Sequence, residues 1–328
     1  MAIRSGLAAQ LGIALETTFG SRAVPDHFYE VVSESMKLNR SRTSAKGLRP
    51  SKLLDRSQRF RTTRRDATGD FVLEAQSNNF GLLFYLALGT KASIADGVGF
   101  KRTYTLGDLF SRSFTLQIGT PDTSGTVQVR EYTGCKVEQW DLSTAIDQVL
   151  SFKVTVDAVD ETVNQTLATA SYPAVTFNEV YYVDEILMTI GGNAIKVSDF
   201  TLTGKNNLKV DRNVIGSQLK LEQLRHAYTN LTGTLTAIFT DLTLYNLFVN
   251  DTTAAASAQI IITATGQKNY DTAKPNKIVI TLPSVRYDGE TPNVTGPDVI
   301  DMKLPFTVLD DDINTPITID YYTADSAD

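Results

Sequence analysis

Cysteine and histidine are nearly absent from this chain of 328 residues, which has one cysteine, Cys135, and two histidines, His27 and His226. One cysteine excludes an internal disulfide and a cysteine-based metal cluster. The histidines are far apart in the sequence, so a Ser–His–Asp or Cys–His arrangement would have to be created by the fold alone. The sequence also has no P-loop, no dinucleotide-binding glycine motif and no His-Glu-x-x-His zinc motif. We therefore expect no enzyme activity, no catalytic residue, no metal site and no cofactor.

Long apolar runs are missing as well. Gly81–Leu88 is among the longest, and it is far shorter than the ~20 residues that a membrane helix needs. Residues 1–10 carry Arg4 but no secretory apolar segment of the usual length. The formal net charge is only −6, and such mild acidity argues against a general nucleic-acid-binding protein. These features favour a soluble protein made inside a cell, without a membrane partner.

Short segments of alternating apolar and polar residues dominate what is present. Phe114–Ile118, Leu150–Val156 and Lys277–Leu282 alternate with the period of two that is typical of half-buried strands. Helical patterning is limited to two short segments, Asn78–Leu88 and Leu242–Val249. The sequence therefore predicts a mainly β protein built from sandwich-like or barrel-like domains, each with a short flanking helix.

The order of these segments occurs twice along the chain. The pattern of Met36–Arg40 returns as Leu208–Arg212, and that of Thr68–Leu73 returns as Thr232–Ala237. In both places a short helix, further strands and an acidic cluster follow. We interpret this order as an internal duplication, the alternative being one large β domain. The predicted boundaries are an arm at 1–27, a first repeat at 28–161, a linker at 162–179 and a second repeat at 180–328.

The two repeats differ most in the connection that follows their first matched strand. In the second repeat this connection, 213–227, is short and weakly charged, whereas in the first repeat it spans 41–65 and has Asp55 as its only acid. Its basic residues are Arg42, Lys46, Arg49, Lys52, Arg56, Arg59, Arg61, Arg64 and Arg65. Three interpretations are open: contact with nucleic-acid phosphates, a solvated loop, or docking onto an acidic surface of another copy. We favour docking, because a head-to-tail contact between identical subunits needs two complementary patches and the chain also supplies an acidic one.

The C-terminal part of the chain is rich in aspartate, and Lys303 is its only base from position 288 onward. The residues predicted to form an acidic counter-surface are Asp298, Asp301, Asp310, Asp311 and Asp312. The run Asp310–Asn314 superficially resembles a calcium loop, but it lacks the alternating ligands, central glycine and terminal glutamate of an EF-hand. We expect an exposed acidic turn there, or a patch that faces a basic partner.

A recognisable pattern extends through the N-terminal block. The segments that carry it are Leu15–Gly20, Phe28–Arg40, Gly47–Arg49, Arg64–Phe71, Phe80–Leu83 and Ala87–Gly89. This pattern resembles the major tail tube proteins of long-tailed bacteriophages, and the internal repeat extends the resemblance over the rest of the chain.

The resemblance implies a structural protein of the virion tail. Such proteins have a β-sandwich core with a flanking helix, and a long hairpin loop and an N-terminal arm that reach neighbouring subunits. Their subunits form rings closed by a circle of strands, and stacked rings make the channel for genome delivery. The 41–65 loop fits the stacking hairpin, and 1–27 fits the arm. For a duplicated subunit we favour a trimeric, pseudo-sixfold ring over a hexamer.

The resemblance also implies partners. These are other copies of the chain, a tape measure protein, and tail terminator or tip proteins. Viral DNA would pass through the lumen without specific binding. Assembly is expected in the host cytoplasm.

An alternative function is a carbohydrate- or receptor-binding β-sandwich module of a phage tail. Such a module would need an exposed aromatic platform. Trp140 is the only tryptophan, and the pairs Tyr181–Tyr182 and Tyr321–Tyr322 lie in strand-like segments, where we expect one ring of each pair to face a core. An enzyme on a β scaffold is less well supported, because no histidine constellation is present.

Overall fold

The computed structural model describes residues 5–174, 178–289, 291–293, 296–297 and 300–325. Within these ranges the chain forms 22 β-strands and three α-helices. The strands are β1 (Gln10–Leu15), β2 (His27–Tyr29), β3 (Val31–Glu34), β4 (Lys37–Ser44), β5 (Phe60–Glu74), β6 (Gly89–Asp96), β7 (Gly99–Leu106), β8 (Phe114–Pro121), β9 (Val127–Ala145), β10 (Ser151–Ala158), β11 (Asp160–Val163), β12 (Ile186–Ile190), β13 (Asn193–Ile195), β14 (Val197–Lys205), β15 (Leu208–Lys209), β16 (Leu224–Arg225), β17 (Asn230–Ile238), β18 (Ile260–Asp271), β19 (Lys274–Leu282), β20 (Val285–Tyr287), β21 (Asp301–Val308) and β22 (Thr318–Thr323). The α-helices are α1 (Gly81–Leu88), α2 (Thr243–Val249) and α3 (Ala255–Ala258), and 3-10 turns lie at Gly6–Ala8, Ser57–Arg59 and Val183–Glu185. The predicted mainly β fold is confirmed, and α1 and α2 lie within the two segments predicted to be helical.

The larger sheet has 13 strands and is organised around the long strand β9. Residues 136–145 of β9 pair with β10 and β14. Eight antiparallel strands thereby lie side by side in the order β3–β5–β10–β9–β14–β17–β21–β20. Strand β4 follows β3 along the same edge of β5. Residues 127–135 of β9 pair instead with β8 and β11, which creates a branch in the order β2–β1–β8–β9–β11.

A second sheet of seven strands has the order β13–β12–β18–β19–β22–β7–β6. The hairpin β6–β7 comes from the first half of the chain, yet β7 pairs with β22, the last strand of the chain that the structure describes. The two halves therefore contribute to both large sheets, while β15 and β16 form a small separate ladder. Neither large sheet closes into a barrel over the described ranges, so a closed circle of strands would need further copies of the chain.

Helix α1 lies between the two large sheets. All eight of its residues are buried, as expected for a helix that is apolar on every face. The ring centroid of Phe84 lies 5.6 Å from that of Phe152 on β10 and 5.8 Å from that of Tyr321 on β22. Helix α2 is different, since Leu247 is the single residue it buries.

Part of the segment predicted to be an arm belongs to a sheet instead. Residues 10–15 of the 1–27 segment form β1, which lies between β2 and β8. Leu11, Ile13 and Ala14 are at most 3% exposed, and burial of these apolar side chains holds the segment in place.

Candidate assembly surfaces

The predicted 41–65 loop is largely a β-hairpin. Strands β4 and β5 pair from Lys37 opposite Thr68 to Ser44 opposite Phe60. Residues 45–59 connect the two strands, and we call them the hairpin tip. The 15-residue strand β5 thus extends from the core of the sheet into a projecting hairpin.

Most of the nine predicted basic residues are exposed on this hairpin. Arg56 and Arg65 are half-buried, and the other seven are exposed. Lys46 lies 3.9 Å from Asp55, and Arg65 Nη2 donates to Asp160 Oδ2 at 2.6 Å. Within the described part of the chain, no carboxylate lies within ion-pair distance of the remaining seven, which are Arg42, Arg49, Lys52, Arg56, Arg59, Arg61 and Arg64. The hairpin therefore presents a positive surface whose only carboxylate partners, among the described residues, are those of Lys46 in the tip and Arg65 at the root.

The hairpin tip also exposes apolar side chains, which the sequence analysis missed because it considered only charge. Leu48, Leu53 and Leu54 have exposed fractions of 102%, 99% and 86%. Three leucines within a Lys/Arg-rich connection are the signal that could have identified them. Such an apolar cluster on a projecting element is typical of a contact surface.

The root of the hairpin is held by the 213–227 connection of the second half. The backbone N–H of Arg65 donates to the carbonyl oxygen of Gln218 at 3.0 Å. Nearby, Lys220 Nζ donates to Asp157 Oδ1 at 2.6 Å, and Gln223 Nε2 donates to Asp157 Oδ2 at 2.7 Å. Burial raises the pKa of Asp157, and the ammonium of Lys220 opposes that rise. The connection thus crosses from the second half of the chain to the end of β10 in the first half.

Strand direction separates the predicted acidic residues. Strands β5 and β17 run in the same direction, because four antiparallel pairings lie between them. The hairpin tip precedes β5, so we call this side of the sheet the hairpin end. The opposite side, where α1 follows β5 and α2 follows β17, is the helix end.

Asp310, Asp311 and Asp312 follow the last residue of β21, and β21 runs antiparallel to β17. They therefore lie at the hairpin end, on the same side as the basic tip. Asp301 pairs with Ile238 at the start of β21, so it lies at the helix end. Asp298 falls outside the described residues. The predicted counter-surface is thus not one patch.

The acidic turn at the hairpin end is structured by its own backbone. Asp311 Oδ1 accepts the backbone N–H groups of Ile313 at 3.1 Å and Asn314 at 2.7 Å. The bond from Asn314 contributes most to lowering the pKa of Asp311. Asp310 and Asp312 are exposed and Asp311 is half-buried, so the segment is an acidic turn at the surface. The described residues contain no cluster of ligands suited to a metal ion.

The only tryptophan and one tyrosine of each pair are not available for a carbohydrate platform. Trp140 is 1% exposed, and Tyr181 and Tyr321 are fully buried. One ring of each tyrosine pair thus faces the core, which confirms that prediction.

Sequence comparison now adds to this geometry. A family model described as phage tail tube protein matches residues 6–308. The chain belongs to the phage tail tube protein family. This membership confirms the resemblance of the N-terminal block and extends that resemblance over nearly the whole chain. A search of curated proteins gives no match to this tail tube protein.

Family membership makes this tail tube protein a structural component of a phage tail. An exposed hairpin, a positive surface and free sheet edges are features of an assembling subunit, and they differ from the concave site of a typical enzyme. None of the helices in the described ranges has the length and apolar character needed to cross a membrane.

Proposed function

We propose that the chain assembles into trimeric rings, that each chain supplies two related tail tube domains, and that stacked rings form the channel through which the genome is delivered. The observation that carries this proposal is a repeated strand order. The first half contributes β3–β5–β10–β9 to the larger sheet, and the second half contributes β14–β17–β21–β20. Corresponding strands occupy corresponding places, as a duplication requires.

A second set of strands repeats in the same way. The order β2–β1–β8–β9–β11 in the first half corresponds to β13–β12–β18–β19–β22 in the second. Gly69 and Gly233 occupy corresponding positions on β5 and β17. A Cβ on Gly69 would lie 2.6 Å from Met36 Cα, and one on Gly233 would lie 2.4 Å from the carbonyl oxygen of Thr201 and 2.3 Å from the ring of Phe306. These correspondences support two β-sandwich domains. The first combines β1 and β2 with the predicted 28–161, the second is 180–328, and 162–179 lies between them.

The join between the two halves provides a template for closing a ring. Inside the chain, β9 at the edge of the first unit pairs with β14 at the edge of the second. Over the described residues, β3 at one end of the eight-strand order and β20 at the other end each pair on one side only. Pairing β20 of one copy with β3 of the next would repeat the internal join and remove both edges. Three chains with two units each make a pseudo-sixfold circle, which favours the trimer over the hexamer.

The internal contact at the hairpin end suggests how charge acts within a ring. There the 213–227 connection reaches back to the first half, where Lys220 meets Asp157. The basic hairpin is the corresponding connection of the first half. In a ring it would approach the second half of the preceding copy, where Asp310, Asp311 and Asp312 follow β21. We assign these three carboxylates to that lateral contact with the predicted basic residues nearest the root of the hairpin, Arg64 and Arg65.

Other proposed partners follow from the tube itself. The lumen would enclose a tape measure protein during assembly and pass viral DNA without specific binding, since a net negative subunit repels phosphate. Terminator and tip proteins would bind the two ends of the tube. Assembly would occur in the host cytoplasm, before incorporation into the virion.

Native mass spectrometry and electron microscopy of the purified chain test this proposal. We expect rings of three chains in which six similar lobes surround a channel. Rings of six chains would contradict the trimer, and a chain that stays monomeric at high concentration would contradict self-assembly.

A substitution at the free edge tests the ring contact. Val32 on β3 is 62% exposed, and it lies where the β3–β5 register shifts. The change Val32→Asp should leave the isolated chain folded but reduce ring formation, because a charge would be placed in the β20–β3 join. Val98→Asp, at a position that is 75% exposed in the β6–β7 turn, is the control. Equal ring yields for the two variants would argue against this edge, and circular dichroism would verify folding.

A further inference from the structure

An open apolar cleft lies at the helix end of the second half. Its volume is about 620 Å³, and β13, the last residues of β17 and α2 surround it. Its apolar lining includes Ile190, Ile195, Ala237, Ile238, Leu244 and Leu247. Asp241 and Lys196 also line it, and Asp301 is paired with Ile238 beside it. We call this site the helix-end cleft.

The corresponding place in the first half is smaller, about 300 Å³, and is partly covered by the chain itself. There Phe28, which precedes β3, is 3% exposed, and its ring centroid lies 6.3 Å from that of Tyr172. Asn79, just before α1, donates its backbone N–H to Asp325 Oδ2 at 2.9 Å. In the second half the described residues provide no such cover, and Ile238 and Leu242 remain 42% and 56% exposed. Among the described residues, the second half thus lacks a counterpart of the cover that Phe28 and Tyr172 provide in the first half.

The hairpin tip has the matching chemistry. Leu53 and Leu54 are almost fully exposed, so burying them would remove a large apolar area from water. The tip and the cleft lie at opposite ends of the larger sheet. In a head-to-tail stack the hairpin end of one ring faces the helix end of the next, so a tip cannot reach its own cleft but can approach that of another copy.

We propose that Leu53 and Leu54 of one copy insert into the helix-end cleft of a second copy in the neighbouring ring. The proposal rests on the assembly into stacked rings proposed above, and it names the residues on both sides of the contact. Charge is compatible with the same pairing. The tip brings Arg49, Lys52, Arg56 and Arg59 without a carboxylate partner among the described residues. The receiving side carries Asp241 and Asp301 together with Lys196 and Lys303. Opposite charge would fix the approach, and the leucines would supply apolar contact.

Serine substitution in the tip tests the contact. The double variant Leu53→Ser/Leu54→Ser should form rings like the wild type, while the protein concentration needed for tubes rises at least about tenfold, since each contact recurs around the ring. The matched control is Ile94→Ser on the outer strand β6, where an apolar side chain is 66% exposed. Negative-stain microscopy measures tube length, and native mass spectrometry counts chains in the ring.

Disulfide trapping tests the pairing directly. Leu53→Cys and Ala194→Cys chains are mixed under oxidising conditions; Ala194 is an exposed residue of the cleft. The native Cys135 is buried, so it should not compete. We expect covalent dimers from this mixture and none above background when Ile94→Cys replaces Ala194→Cys.

The outcomes separate this inference from the proposed function. Tubes that form without the Leu53–Ala194 linkage, or a serine double variant that forms tubes as readily as the wild type, would overturn the cleft as the receptor. A linkage to Ile94→Cys of equal yield would do the same. A wild-type chain that never forms rings would instead refute the assembly on which both depend.

Discussion

At the scale of single residues, the buried pair of Lys220 and Asp157 holds the two halves together at the hairpin end. Their side chains are only 1% and 2% exposed, with 2.6 Å between Lys220 Nζ and Asp157 Oδ1. Removing one partner of such a pair leaves a buried charge without compensation, which costs far more than the intact pair contributes.

We therefore predict that Asp157→Asn lowers the free energy of unfolding by about 3–5 kcal/mol, as measured by urea denaturation. The matched control is Asp70→Asn. Its partner Lys153 lies 2.5 Å away, but both side chains are partly exposed, at 29% and 43%, so the loss should not exceed about 1 kcal/mol. Hydrogen bonds from Lys153 and Ser35 lower the pKa of Asp70 from its ordinary value of 3.8. The small contribution of this pair to stability is therefore fully present above pH 3.8, and it is lost as the pH falls through the lowered pKa. Equal losses of unfolding free energy in the two variants would show that burial of Lys220 does not determine the cost of removing its partner.

Some residues of the candidate surfaces could be predicted from the sequence, and others could not. The basic residues could be identified from composition alone, since Arg49 and Arg59 lie in an exposed hairpin, as their density indicated. The pairing of Arg65 with Asp160 could not, because it depends on how β11 folds back toward β5. Nor could the sequence show that Asp301 and Asp310 lie at opposite ends of the sheet, because that depends on the direction of β21 among its neighbours.

At the scale of elements, the β9–β14 pairing joins the two halves of the chain. Gly204 on β14 lies against the ring of Trp140 on β9, and a Cβ there would lie 2.2 Å from Trp140 Cε2. A glycine is needed at position 204 because the Trp140 ring approaches the backbone closely there. No other residue fits unless the tryptophan moves.

We predict that Gly204→Ala destabilises the fold by about 1–3 kcal/mol, because the added methyl group overpacks the join. Trp140 is 1% exposed and is the only tryptophan, so its fluorescence reports on this contact directly. The emission should shift to longer wavelength as the ring gains exposure. Gly6→Ala is the control, since its Cβ would meet nothing within 4 Å. An unchanged emission spectrum and melting curve in Gly204→Ala would contradict this account of the join.

Local patterns predicted most elements but not their partners. The segment Leu150–Val156 alternates and lies in β10, and the apolar run Gly81–Leu88 is α1. Strand β1 was missed because it is a short, glycine-interrupted run whose stability comes from β2 and β8. The extension of the second sheet by β6 and β7 was equally inaccessible, since alternation identifies a strand but does not identify the neighbour with which it pairs.

At the scale of the whole molecule, charge is segregated although the net charge is small. Seven basic residues of the hairpin have no carboxylate partner among the described residues, and in the proposed stack of rings they would face Asp241 and Asp301 at the helix end of the next ring. Single exposed ion pairs contribute at most about 1 kcal/mol each. Their effect on a tube would therefore come from repetition around each ring.

We predict that the triple variant Arg56→Glu/Arg59→Glu/Arg61→Glu folds and forms rings but produces shorter tubes than the wild type. Lys91→Glu on β6 is the control for a charge change away from the hairpin, and tube length by electron microscopy is the measurement. Raising the salt concentration should also shorten wild-type tubes, because the Debye length falls from about 8 Å at physiological ionic strength to about 3 Å at 1 M.

The salt experiment also separates charge from apolar contact. If Leu53 and Leu54 carry the lasting part of the contact, wild-type tubes should shorten in high salt without disappearing, since burial of leucine is not screened. The serine double variant should lose its remaining tubes under the same conditions. If tube length is unchanged both for the wild type in high salt and for the triple variant, charge does not hold the rings together. The leucines would then be the sole contact between rings.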